Sequence, residues 1–295
     1  MTSKTDHLGR DAETPVQLPL GAWWRVLRRT YAEAKADNLG LISAGASFYA
    51  FLALVPTLAA LVLVYGLAVS PRTLAEHMTV ITEFVPSDSA DLIRDQLRAA
   101  IAAGDGRTGL GFVLALGLAL FGATKGTGAI MTATNIVYEQ VETRGLVRLH
   151  LTRLALTLAM VALAVGAIGL AVGTAAATET IGAGRPVLSA LITAMFWLVT
   201  AGVVVVGIGC LYRFAPDRAD ARWQWLTPGT LLASGGVLVA TLGFSLYSAH
   251  VGKFSATYGA LGAVVALLTW LYFAAYVVLL GAERNAELEH QTARD

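Results

Sequence analysis

Long apolar stretches alternate with short polar segments along most of this chain. Each stretch reaches the roughly 20 residues that a helix needs to cross the hydrocarbon core of a bilayer. In lipid such a segment must be helical, because its backbone groups find no water to bond. The pattern therefore predicts an all-α, polytopic membrane protein. Its six transmembrane helices are expected at approximately Leu39–Val69, Leu110–Tyr138, Leu149–Ala177, Pro186–Tyr212, Leu226–Ala249 and Tyr258–Ala282.

Two segments outside these spans have helical periodicity of their own. The first combines an aromatic stripe with arginines, so we expect an interfacial amphipathic helix; the alternative is a cytosolic helix packed on the bundle. The second is expected to form amphipathic helices that lie on the outer face as a lid. The expected segments are a disordered polar tail (1–18), the interfacial helix (19–38), the transmembrane domain (39–282) with the outer segment (72–104), and a cytoplasmic C-terminal tail (283–295).

Lysine and arginine are distributed unequally between the two sides of the predicted spans. Most of the 21 basic residues precede the first span or fall in alternate joints and in the C-terminal tail. Positive residues accumulate on the cytoplasmic side of a membrane. We therefore expect a multi-pass protein of the bacterial inner membrane with both termini in the cytoplasm.

The composition supports a membrane protein and narrows its chemistry. Only 14% of the residues are charged, and the net charge is +1, whereas soluble domains carry about 25% charged residues. No global basic field of the kind that nucleic-acid binders show is present. The single cysteine, Cys210, excludes an intrachain disulfide, and the five histidines form no close metal-ligand spacing. We therefore expect no enzyme activity, no metal, no cofactor and no nucleic-acid partner.

Lys125 is the most unusual charge, because it lies near the middle of the second predicted span. Burying a lysine there costs about 2.5–3.5 kcal/mol on insertion scales. Thr124, Thr127 and Asn135 lie nearby in the sequence. We hypothesise that these four residues form an intramembrane polar site for an anionic headgroup or a coupling ion. The alternative is that the hydrocarbon core ends before Lys125, whose side chain then extends to the interface.

Two further features suggest moving parts. Pro56 lies inside the first span, where it removes a backbone hydrogen bond and is expected to kink the helix. A cluster of charges opens the C-terminal tail, and we hypothesise that it pairs with arginines of the fourth joint as a cytoplasmic gate. The alternative is a solvated helix end. The members of this predicted charge cluster are Arg213, Arg222, Glu283, Arg284 and Glu287.

Several sequence blocks resemble the BrkB/YihY family of bacterial inner-membrane proteins. They are Ala46–Leu61, Leu211–Ser234 and Tyr258–Glu287, together with Thr132–Gly145, which is similar to the family's Ala-Leu-Asn-x-Ile-Tyr segment. The resemblance implies a six-helix inner-membrane fold and a role in transport or in handling envelope lipids. Some members carry an old ribonuclease label. A ribonuclease would need a metal cluster or a His/Lys acid–base pair on a basic surface, so we do not expect that activity.

The leading hypothesis is a transporter or translocator of a lipid or other amphiphilic or anionic solute. The alternative is a non-transporting structural or assembly protein of the envelope. Membrane lipids with anionic headgroups are the expected partners, and a homo-oligomer is left open.

Overall fold

A computed structural model describes residues 20–68, 110–218, 223–251 and 260–291. Within these ranges every regular element is an α-helix, which confirms the predicted all-α fold class. Long apolar runs with few breakers favour this outcome, because a helix satisfies every backbone group within its own segment. The helices of the described residues are α1 (Leu20–Ala36), α2 (Leu39–Ala68), α3 (Leu110–Val137), α4 (Leu146–Thr180), α5 (Pro186–Phe214), α6 (Trp223–Val251) and α7 (Ala260–Gln291).

Helices α2 to α7 occupy the positions of the six predicted spans. Judged by length and composition, α4, α5 and α7 are the described helices that could each cross a membrane, and the bent pair of α1 and α2 would add a fourth. Six spans are therefore not confirmed. In α6 the apolar part, Pro228–Phe244, is shorter than a full span. The helix begins before Pro228 rather than at it, so this proline lies inside α6.

Helix α7 does not end where its apolar run ends. The predicted boundary at Ala282 separates a span from a cytoplasmic tail, but the helix continues to Gln291. Leu288 lies in this polar end and packs with Ala22 and Val26 of α1. Burial of apolar side chains against a neighbouring helix stabilises helical structure beyond the membrane-like segment. Part of the predicted tail therefore belongs to the folded structure.

Helix α1 forms over nearly the whole predicted segment 19–38 and packs against α7. Trp24, Leu27 and Tyr31 are nevertheless exposed. The helix thus has one face in the protein core and a second apolar face without cover among the described residues. Its place at a membrane interface stays a prediction.

The junction between α1 and α2 is a bend of 65°. Asn38 adopts a left-handed conformation there, with φ of 52°, which asparagine tolerates better than most residues. Its carbonyl oxygen accepts hydrogen bonds from the backbone N–H groups of Leu41 and Ile42, at 2.8 and 3.1 Å. Asn38 therefore ends one helix and begins the next.

The chain divides into two compact units. Unit 1 comprises Met1–Ala50, Gly128–Arg153 and Val205–Asp295, and unit 2 comprises Phe51–Thr127 and Leu154–Val204. In unit 1, α6 packs along α7. In unit 2, α2 continues through Pro56, and a kink at this residue stays a prediction. The proline ring lies against Gly122 of α3, where an added Cβ would be 2.7 Å from it.

Three sets of predicted features lie outside the described residues. They are the polar tail 1–18, the outer segment 72–104 and Arg222.

Candidate functional site

The structure gives the residues of the predicted Lys125 site different surroundings, and a ligand site there stays a prediction. Lys125 is exposed, and its ammonium lies 4.8 Å from the centroid of the Phe121 ring. Thr124 donates its hydroxyl to the Phe121 carbonyl at 2.6 Å within the same helix. Thr127 is buried and shares a hydrogen bond of 2.8 Å with Thr157 of α4. Neighbours two residues apart on a helix point in different directions, so Thr127 contacts α4 while Lys125 is exposed.

Asn135 is separated from Lys125 by about 15 Å along α3, at ~1.5 Å per residue. It belongs to unit 1, whereas Lys125 belongs to unit 2. Its buried amide joins two loops. Nδ2 donates to Oε2 of Glu142 at 3.0 Å, and Oδ1 accepts from the backbone N–H of Asp217 at 2.8 Å. Asn135 thereby ties the segment that follows α3 to the segment that follows α5.

Arg144 holds the same two segments together. Its Nε and Nη2 donate to the two carboxylate oxygens of Glu142 at 2.7 and 2.8 Å. Nη2 also donates to the carbonyl of Ala215 at 2.9 Å, just past the end of α5. An arginine at a helix C-terminus satisfies free carbonyls and suits the negative end of the helix dipole. The Arg144 side chain is 5% exposed and that of Glu142 is 28% exposed, so the arginine is the more shielded member of the pair.

Asp217 completes the arrangement. It accepts two hydrogen bonds from Thr143, from the backbone N–H at 2.7 Å and from the hydroxyl at 2.6 Å. Hydrogen bonds from Thr143 hold the pKa of Asp217 below its ordinary value, and hydrogen bonds from Arg144 do the same for the pKa of Glu142. Both carboxylates are therefore ionised at neutral pH. The loop network is defined as Asn135, Glu142, Thr143, Arg144 and Asp217.

Arg218 connects the loop network to α7. Its Nη1 donates to both carboxylate oxygens of Glu289, and its guanidinium lies 4.0 Å from the centroid of the Tyr138 ring. A second ion pair, of 2.8 Å, joins Arg29 of α1 to Glu287. The polar end of α7 is thus held by two arginines from different parts of unit 1.

The gate that the predicted charge cluster would form stays a prediction. Among the described residues, the end of α7 pairs with the joint after α5 through Arg218 and Glu289. Arg213 still lies within α5, whereas Arg218 follows the turn at Pro216 that redirects the chain. Arg284 stacks on Trp23 at 5.1 Å, and Glu283 is buried.

The base of this region is tightly packed. Tyr212 is fully buried and donates its hydroxyl to the Val278 carbonyl at 2.5 Å. Oδ1 of Asn285 accepts a hydrogen bond of 2.9 Å from the backbone N–H of Gly229. Gly229 follows Pro228, which disturbs the local hydrogen bonding of the helix. These bonds join α5 and α6 to α7.

Chemically, the region combines mutually paired charges with buried tyrosines and amides. Among the residues that the structure describes, no group of three or more His, Cys, Asp or Glu side chains could hold a metal ion. The ion pairs can hold the loops together or exchange partners.

Sequence reasoning singled out Asn135 but missed its partners Glu142 and Asp217, and it also missed Arg144 and Arg218. A signal for them was present, because all four lie in the blocks that resemble the BrkB/YihY family. Their residue types alone gave no such signal, because all four residues follow the end of a predicted span, where charged residues are common.

Comparison with known proteins gives a consistent result. A family model described as "Virulence factor BrkB" matches residues 30–295. YfkH, a ribonuclease-like protein of Bacillus subtilis, is 28% identical over 223 residues, which cover 74% of this chain and 79% of that protein. The UPF0761 membrane protein PSHAa0171 of Pseudoalteromonas translucida is 25% identical over 299 residues, which cover 100% of this chain and 95% of that protein. A UPF0761 membrane protein of Tolumonas auensis is 44% identical over 82 residues, which cover 28% of this chain and 27% of that protein. No solved structure matches.

Proposed function

Because this chain belongs to the BrkB family of membrane proteins, we propose that it translocates a lipid or another amphiphilic or anionic solute across the bacterial inner membrane. The observation that carries the proposal is the loop network with its connection to α7. The segments after α3 and α5 are joined by the 3.6 Å ion pair of Arg144 with Asp217 and by hydrogen bonds from Thr143 to Asp217. The segment after α5 is joined to the polar end of α7 by the ion pair of Arg218 with Glu289.

Holding helices together through ion pairs carries a desolvation cost. Removing two charges from water costs several kcal/mol per ion, and apolar residues of similar volume often stabilise a fold equally well. Ion pairs can, however, exchange partners without leaving a charge unpaired, which suits an element with two arrangements. The loop network therefore supports a gate that opens and closes the end of unit 1.

The exposed face of α1 supports a lipid as partner. Trp24 and Tyr31 are exposed, and aromatic side chains of this kind are enriched at the membrane–water interface. Arg28 is exposed on the same helix, where a cation attracts anionic headgroups. In the proposed orientation this face and both termini lie on the cytoplasmic side.

A flux measurement tests the proposal. The full chain is reconstituted into phosphatidylcholine vesicles that contain a fluorescent phosphatidylglycerol analogue, and dithionite bleaching reports its movement between leaflets. We expect faster movement than in protein-free vesicles, and a several-fold loss in Arg144→Gln. Arg213→Gln is the matched control, since it removes an arginine from the last turn of α5, outside the loop network.

A non-transporting envelope scaffold is the second candidate, and one observation favours it. Lys125 lies with Phe121 on an exposed part of α3 rather than in a cavity, which suits a side chain that extends to a lipid headgroup. A scaffold predicts no lipid movement above that of protein-free vesicles. The same experiment therefore separates the two candidates.

A further inference from the structure

Glu283 is an acidic side chain of α7 that differs from the other acids near it. It is only 3% exposed, and its Oε2 has no hydrogen-bond partner among the residues that the structure describes. Glu287 and Glu289, farther along the helix, are engaged by Arg29 and Arg218. Burying an ionised carboxylate oxygen without a donor is costly, and the usual response of such a group is to bind a proton.

Besides its burial, four neighbouring carboxylates oppose the ionisation of Glu283. The strongest are those of Asp37 and Glu287, followed by those of Glu33 and Glu139. They come from α1, from its junction with α2, from the segment after α3 and from α7 itself. Of the nearby cations, Arg29 is paired with Glu287 and Arg284 is stacked on Trp23. Helix α6, which packs along α7, carries no Asp, Glu, Lys or Arg.

The backbone has an unusual conformation at or beside two of these acids. Asn38 and Glu139 are the non-glycine residues of the described chain with positive φ, each at 52°. Asn38 directly follows Asp37, and Glu139 is itself a member of the cluster. Unusual backbone conformations of this kind persist where the surroundings require them. Asp37 and Glu139 also follow the C-termini of α1 and α3, where the negative end of the helix dipole adds to the unfavourable field.

The same surroundings act on Asp37. Burial raises its pKa, and Glu33 and Glu139 raise it further. The same group of carboxylates therefore disfavours an added negative charge at a second position, outside the predicted spans.

We propose that Glu283 is a proton-binding site, closed by the α1–α2 junction and by the end of α3, and occupied at neutral pH. A proton is favoured over a metal ion because the described residues contain no group of three or more ligands arranged for a metal. Proton release would place a further negative charge among four carboxylates and push the α1–α2 junction away from α7. The proposal is independent of lipid transport, since it concerns only the protonation of the folded chain.

Infrared spectroscopy tests the site directly. The full chain in detergent at neutral pH is expected to show a protonated-carboxyl C=O band that shifts in D2O and is absent from Glu283→Gln. The matched control is Glu289→Gln, which removes a carboxylate paired with Arg218 and should keep the band. A band that survives in Glu283→Gln, or that is missing from the wild type, overturns the proposal.

A pH series of thermal unfolding provides a second readout. The folded state keeps a proton that the unfolded chain releases above about pH 4.5, so the wild-type Tm should fall as the pH rises beyond that value. Glu283→Gln should remove this slope. If Glu283→Gln does not fold, Asp37→Asn provides the test. Removing the negative charge of Asp37 should make Glu283 release its proton more easily, so the infrared band should disappear at a lower pH than in the wild type. A Tm that Mg²⁺ or Ca²⁺ raises in the wild type but not in Glu283→Gln would assign a metal instead and overturn the proton site.

Discussion

Arg218 binds Glu289 through two hydrogen bonds from one nitrogen, Nη1, at 2.9 Å to Oε1 and 2.7 Å to Oε2. The two residues come from the segment after α5 and from the last turns of α7. The same guanidinium covers the Tyr138 ring after α3. One arginine thus joins three parts of unit 1 and makes the end of α7 part of its folded core.

Arg144→Met should destabilise the protein by about 1.5–3 kcal/mol, because it removes the charge-assisted hydrogen bonds to Glu142 and the bond to the Ala215 carbonyl. Thermal unfolding of the full chain in detergent measures the effect. Arg148→Met is the matched control, since Arg148 is exposed on the next turn and surface changes usually stay within about 0.5 kcal/mol. Equal Tm values for the two variants would contradict the assigned role of Arg144.

The loop network should weaken in acid. Glu142 and Asp217 have pKa values held below the ordinary 4.5 and 3.8 by hydrogen bonds from Arg144 and Thr143. A lowered folded-state pKa contributes stability that is complete above the unfolded value and is lost as the pH falls through the folded one. The Tm should therefore drop below about pH 4. Asp217→Asn should show a smaller drop over that range, and an unchanged drop would argue against the network.

Gly281→Ala should disrupt the packing of α7. An added Cβ would lie 2.6 Å from both the Gly229 carbonyl oxygen and the Tyr212 hydroxyl, and overpacking of this kind costs about 1–3 kcal/mol. Gly235→Ala is the control, because a Cβ there meets nothing within 4 Å. Alanine's higher helix propensity should make that variant neutral or more stable, by up to ~1 kcal/mol. The Tm of each variant measures the difference.

Lys125→Met should leave the Tm nearly unchanged and should favour membrane insertion, because the side chain is exposed on a largely apolar helix. Thr127→Ala should lower stability by about 0.6–1.7 kcal/mol, since it removes the interhelical hydrogen bond to Thr157. A large loss of Tm in Lys125→Met would show that its ammonium has a buried partner.

Val141 offers a test of orientation, because it is exposed after the end of α3. In a Cys210→Ala background, Val141→Cys should be protected from an impermeant maleimide added to whole cells and labelled once the cells are broken. Ser87→Cys, in the predicted outer segment, should label in whole cells. The reverse pattern would invert the predicted topology.

The sequence alone determined where the long helices lie. Apolar run length and backbone hydrogen bonding are local properties, so α2 through α7 could be placed from the chain itself. The Asn135 and Tyr138 positions were also accessible, through the resemblance of their segment to a family pattern. The continuation of α7 beyond Ala282 was not, because its support comes from α1, far away in the sequence.

Only the tertiary structure decided which charges meet. Helix α3 is apolar on every side, so its sequence could not show that Lys125 is exposed while Thr127 contacts α4. Glu289 is bound by Arg218 rather than by Arg213, because α5 extends to Phe214 and the chain turns only after that residue. The carboxylates around Glu283 come from α7 itself and from two distant segments, the end of α1 and the segment after α3. Their convergence depends on how helix ends pack together, which no periodicity along the chain records.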